Sequence, residues 1–123
     1  MGKYTYYYCY FNIIEITINN FRVFENDTNF KISPITILTG TNSSGKSSFI
    51  KALKLLVRSY EKSGLRKLEI METDLKLGGF NSILNSNSKK EVIEFDFIIK
   101  GLTDIYSEIH QKDYRVKLFY NSK

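Results

Sequence analysis

Apolar and polar positions along the chain follow two periods, and the points where the period changes divide it into elements. Ile13-Ile14-Glu15-Ile16-Thr17-Ile18 is β-branched with partial alternation, as a half-buried strand would be, and Asn19-Asn20 closes it. Phe21-Arg22-Val23-Phe24 and Phe30-Lys31-Ile32 flank Glu25 to Asn29, whose Asn and Asp residues suit a turn, so this stretch predicts a hairpin. Pro34 holds Ser33 extended and breaks the ladder, after which Ile35-Thr36-Ile37-Leu38-Thr39 reads as a short, mostly buried strand. Past Gly45 the period becomes 3.6. Phe49, Leu53, Leu56 and Tyr60 share one stripe with Ile50, Ala52 and Val57 beside it, while Lys51, Lys54, Arg58 and Lys62 take the other side. This predicts an amphipathic helix that stops at Ser63-Gly64. Residues 65 to 90 read as loops around short apolar pieces. The strand signal returns from Val92 to Ile99, and Ile105 to His110 with Tyr114 to Tyr120 suggest a final hairpin about Gln111-Lys112-Asp113. Several strands with one principal helix make an α/β pattern.

At 123 residues the chain is one domain or part of one, and an aromatic share of 15% argues for a buried core. The single cysteine, Cys9, allows neither an internal disulfide nor a cysteine-based zinc cluster, and the single histidine, His110, rules out a multi-histidine metal site. No apolar run reaches the roughly 18 residues of a membrane span, and Met1 to Phe11 lacks the features of a signal peptide. A cytoplasmic protein with no membrane partner is the expectation. Residues 1–12, unusually aromatic from Tyr4 to Phe11, are set apart as an N-terminal extension, with residues 13–123 as the folded lobe. The net charge of +5 is concentrated between Lys46 and Lys67, where seven bases face one acid, Glu61. An excess confined to one segment points to what that segment binds.

That segment opens on the chemistry-bearing motif. Gly40-Thr41-Asn42-Ser43-Ser44-Gly45-Lys46-Ser47 fits G-x-x-x-x-G-K-[ST], the Walker A phosphate loop, between an expected strand and an expected helix. Gly40 and Gly45 permit backbone conformations and a close approach that a Cβ would obstruct, so N–H groups along Asn42, Ser43 and Ser44 can converge on phosphate oxygens. Lys46 places a compact positive charge on the β- and γ-phosphates, and Ser47 offers a hydroxyl to Mg²⁺. The helix N-terminus adds unpaired amides and roughly half a positive charge. Ser48 can reach the α-phosphate, and Arg22 is a candidate second nucleotide contact. ATP and Mg²⁺ are thus the expected ligands. A glycine loop that only caps a helix has no use for Lys46, because the helix dipole opposes a cation there. Other features read as structure. Leu77-Gly78-Gly79 is a turn, His110 a surface residue, Glu91, Glu94 and Asp96 the outward side of a strand, and the helix lysines a solvated face.

From Ile13 onward the sequence resembles the start of an ABC-type AAA-family ATPase of the SMC/RecF/OLD-like group. The resemblance rests on Ile14 to Phe24, on Ile35 to Ser48 with Asn42 in the loop, on the leucine-rich helix, and on Asp74-Leu75-Lys76-Leu77-Gly78-Gly79-Phe80 followed by Lys89 to Phe95. It covers about residues 13 to 100. It implies an N-terminal ATPase lobe with a P-loop NTPase-type mixed sheet, antiparallel strands beside one principal nucleotide-binding helix. It also implies ATP sandwiched between two heads, as a homodimer or with a second ATPase lobe, in DNA repair, chromosome maintenance or anti-phage defence. The family's Walker B carboxylates and signature motif do not occur in this sequence, so turnover is expected to need another lobe or chain. Two other readings fit the same residues. One is a non-catalytic interaction module with a regulatory nucleotide site, and the other is a basic domain whose loop grips a nucleic-acid backbone.

Overall fold

The structure, a computed structural model, describes residues 12–71, 75–100 and 113–122, and the structural statements below are made of these. The element order is β1 (Asn12–Asn19), β2 (Thr28–Lys31), α1 (Lys46–Ser63), α2 (Phe80–Ile83), β3 (Val92–Lys100) and β4 (Asp113–Asn121). The strands form one sheet in the order β2-β1-β3-β4, and every pairing is antiparallel. Strand alternation gives the sheet two faces. Ile16 and Ile18 of β1, Ile93, Phe95 and Phe97 of β3, and Tyr120 of β4 are buried on one of them. Register joins them in rows, Ile16 opposite Phe30 and Phe97, and Ile18 opposite Phe95. Against this face sit Phe49, Ala52, Leu55 and Leu56 of α1, with Leu75, Leu77 and Ile83 closing the core.

The opposite face is polar. Thr17, Asn29, Glu94, Asp96, Arg115 and Lys117 alternate with the buried rows. Asp96 accepts a forked pair of hydrogen bonds from Arg115 at 2.6 and 3.0 Å, with Lys117 at 3.6 Å. These cations, the Arg115 hydrogen bonds above all, hold its carboxyl below the usual carboxylate range against a smaller opposing effect of burial.

Three expectations change. Phe21 to Phe24 is not a strand paired with Phe30 to Ile32; β1 itself pairs with β2, and Phe21 and Phe24 close a tight two-residue turn between them by mutual backbone bonds of 3.0 and 2.9 Å. The register of β1 with β2 sets fully buried Ile16 opposite Phe30, which is partly buried and packed against the core. Ile35 to Thr39 lies outside the sheet, with Ile35 83% and Ile37 80% exposed. Its composition suits a strand, but Thr36 Oγ1 bonds Ser33 in a local turn and none of the described strands pairs with it. The sheet is therefore antiparallel rather than mixed among the described residues. The proposed strand Ile105 to His110 and residues 1–11 of the extension 1–12 lie outside the described residues, while Asn12 belongs to β1, paired with Lys100.

The helix ends where the sequence placed its stop, with Gly64 at φ 58 donating to the Tyr60 carbonyl and the next N–H, of Leu65, to that of Ser59. Its buried face is rotated from the expected stripe. Ser48, Phe49, Ala52, Leu55, Leu56 and Ser59 are inside, Leu53 is partly buried, and Tyr60 and Val57 are exposed. Two serines fit inside because both hydroxyls are bonded, that of Ser59 to the Leu55 carbonyl at 2.7 Å. Chemical denaturation tests this rotation. Leu55→Ala is expected to cost about 2–5 kcal/mol, whereas Leu53→Ala, at a partly exposed position, costs clearly less. Equal losses would restore the stripe through Leu53.

Candidate functional site

The region around the start of α1 is assembled from three chain segments, and each is fixed by a different kind of interaction. The first is the turn after β1. Asn20, fully buried at φ 56, donates from Nδ2 to the carbonyls of Lys90 and Val92 at 2.7 and 2.9 Å. Arg22 follows at φ 50, a left-handed conformation unusual for a residue with a Cβ. Its N–H donates to the Ile83 carbonyl at 2.7 Å, and its own carbonyl accepts from Asn85 Nδ2 at 2.6 Å. The Arg22 side chain then reaches the first turn of α1, where Nε donates to Ser48 Oγ at 3.2 Å.

The second segment is the loop from Gly40 to Gly45. Gly40 has φ 139, and a Cβ on it would meet Ser44 Oγ at 2.8 Å. Ser44 closes the loop on Thr41, its N–H and hydroxyl both donating to the Thr41 carbonyl, at 3.1 and 2.8 Å. Gly45 is the N-cap of α1 at φ 95. A Cβ there would lie 2.8 Å from Phe24 and 3.0 Å from Val23, so the tip of the first turn fills the space that glycine leaves. Phe24 is held in turn by an edge contact to Phe30 and by the stacking of Phe30 on Phe49 of α1, with centroids 5.5 and 4.1 Å apart.

The third segment is the helix start. Lys46 Nζ folds back over the loop and donates to the carbonyls of Gly40 and Thr41, each at 2.5 Å. The first turn of α1 has no acidic residue and no side-chain cap hydrogen bond, so the amides that open the helix have no partner within it. A cation at the first helical position opposes the helix dipole, and an anion in the loop would reverse that penalty. The arrangement can therefore receive an oxyanion on amides and an ammonium. Ser47 is exposed at the rim and able to offer its hydroxyl to a cation bound with such an anion, while Ser48 is 3% exposed and turned to Arg22.

The structure thus brings Arg22, Gly40, Gly45, Lys46, Ser47 and Ser48 to one place, with Asn42, Ser43 and Ser44 exposed on the loop. Glu94 and Asp96 belong to the polar face of the sheet, where Asp96 pairs with Arg115. Leu77-Gly78-Gly79 leads into α2; Gly78 has φ 74, and a Cβ on it would lie 2.9 Å from Ser82 Oγ. His110 lies outside the described residues. Among the described residues no group of three His, Cys, Asp or Glu could hold a metal, and no helix is long and apolar enough to cross a membrane. Asn20, Phe24 and Asn85 were not marked by the sequence, because their roles depend on partners 63 or more residues away or on the space above a glycine.

Two glycine substitutions separate backbone strain from packing. Gly64 has φ 58 and open space around it, so Gly64→Ala is expected to cost about 1 kcal/mol from backbone alone. Gly45→Ala adds a displaced Phe24 ring and is expected to cost about 1–3 kcal/mol more. Urea denaturation reads both. Equal losses would mean that Phe24 yields freely and does not fix the loop.

A family model described as an AAA ATPase domain matches residues 12–122. No curated protein matches the chain.

Proposed function

The chain belongs to the AAA ATPase domain family, and from that premise we propose that it binds MgATP through the loop Gly40 to Ser47, with Arg22 as a second phosphate contact. The observation that carries the reading is Lys46, an ammonium held across the mouth of a glycine-framed loop at an uncapped helix N-terminus. The helix dipole opposes a cation at that position, and the bonds of Lys46 to the Gly40 and Thr41 carbonyls keep it over the loop. The residues fit the ligand. Amides from Asn42 to Gly45 and the Lys46 ammonium suit the phosphates, the Ser47 hydroxyl suits Mg²⁺, and the glycines leave room for a close approach.

Phosphoryl transfer to water also needs a group that orients the attacking water and charge that stabilises the transition state. No Leu-Ser-Gly-Gly occurs in the sequence, and Glu94 and Asp96 stand on the sheet face away from α1. We assign these parts to a second ATPase lobe or a second copy, in the two-headed arrangement of ABC-type ATPases. The ABC-type lineage and its setting in DNA maintenance or defence rest on the likeness of Ile14 to Phe24 and Ile35 to Ser48.

Thermal denaturation with and without nucleotide tests the binding. A ligand at a hundredfold excess over its Kd stabilises the native state by about 2.7 kcal/mol, so MgATP is expected to raise Tm by several degrees. Lys46→Ala is expected to remove most of that rise, and Ser47→Ala to lessen the difference between ATP with and without Mg²⁺. An unchanged response in Lys46→Ala would refute the proposal.

A further inference from the structure

The main chain of Arg22 is held from outside its own hairpin. Its N–H and carbonyl are both engaged by the segment around α2, through the Ile83 carbonyl at 2.7 Å and Asn85 Nδ2 at 2.6 Å. Asn85 is 7% exposed, and both its side-chain polar atoms are bonded. Its N–H donates to Asn20 Oδ1 at 3.2 Å, and its Oδ1 accepts from the N–H of Asn87 at 2.9 Å. Asn20 in turn grips Lys90 and Val92 at the entry to β3. The two buried amides thus form a satisfied network, which specifies one geometry because any slip strands a polar group. That geometry keeps Arg22 in a left-handed conformation that a free chain rarely adopts, and from it Nε reaches Ser48 Oγ at 3.2 Å.

We propose that Asn85 is a positioning residue for nucleotide binding. It acts through Arg22, fixing that residue's backbone so that the guanidinium stands beside Ser48, where a phosphate of the bound nucleotide would meet it. The proposal rests on the phosphate-loop reading above and assigns to the segment after α2 a part in that site. A guanidinium held in place loses little freedom on meeting an oxyanion, whereas one on a mobile turn must be ordered by the ligand. The segment Phe80 to Asn85 touches no loop residue through these bonds and influences the nucleotide only by way of Arg22.

A double-mutant cycle on MgATP affinity tests this, with four proteins: the parent, Asn85→Asp, Arg22→Ala and the double variant. Asn85→Asp keeps the size of the side chain and the acceptor for Asn87 but removes the donor to the Arg22 carbonyl. Arg22→Ala is expected to weaken MgATP binding about tenfold, the loss of one charge-assisted hydrogen bond. Asn85→Asp is expected to weaken it severalfold in the parent and less than about twofold in the Arg22→Ala background. The Tm without nucleotide is expected to fall equally in both backgrounds, since the structural cost of Asn85 does not depend on the guanidinium. A purely structural role predicts the same affinity loss in both backgrounds and would overturn the proposal. So would parent-like affinity in Arg22→Ala, an outcome that stands even if Asn85→Asp fails to fold. Lys46→Ala distinguishes the two readings. If it abolishes binding while Arg22→Ala does not, the phosphate loop stands and the role of Asn85 falls; if it binds as the parent does, the loop reading itself falls.

Discussion

The packing of Phe24 over Gly45 joins the two halves of this structure. Gly45 must be glycine for two reasons that coincide, a φ of 95 and a ring carbon 2.8 Å from where a Cβ would be. The same ring is carried on the turn that holds Arg22 and is braced by Phe30 and Phe49. Hairpin, loop and helix start therefore cannot be placed independently. A shift of the β1–β2 turn moves the N-cap of α1, and a side chain at the N-cap would push the turn and Arg22 away from Ser48. In close-packed interiors such contacts transmit displacement instead of absorbing it.

The division of the sheet into an apolar and a polar face decides where chemistry can occur. The buried rows of β1 and β3 seat α1, so the helix start and the loop before it stand on the apolar side. Glu94 and Asp96 of β3 lie on the other face, where Asp96 is answered by Arg115 and Lys117 of β4. The cationic elements Lys46 and Arg22 are thus kept apart from the carboxylates that would otherwise neutralise them. Among the described residues the uncapped N-terminus of α1 is faced by the loop, its ammonium and Arg22, a combination stabilised by an anion.

Much of this was legible along the chain and the remainder required the third dimension. Both ends of α1 are written in glycines whose conformations are local, Gly45 and Gly64, and the residues of the loop and helix start are contiguous, so a linear pattern can propose them as a site. The buried face of α1 was read one residue off because Ser48 and Ser59 count as polar by type, while their hydroxyls are in fact occupied by Arg22 and by the Leu55 carbonyl. Ile35 to Thr39 carries strand composition, yet a strand exists only with a partner, and none of the described strands supplies one. The Asn20–Asn85 network was invisible because asparagine signals turns locally, and nothing in either neighbourhood announces a partner 65 residues away.

The central claim is that phosphate is received at the helix start, by Lys46 and the loop, with Arg22 at its side. Backbone amide NMR of the 123-residue chain titrated with the magnesium complex of a non-hydrolysable ATP analogue tests it most directly. The account predicts saturable shifts confined to Gly40 through Ser48 and to Arg22 with its turn, with the amides of Glu94, Asp96 and Arg115 unmoved. Shifts centred on the polar face of the sheet, or a loop that stays silent at saturating nucleotide, would contradict it.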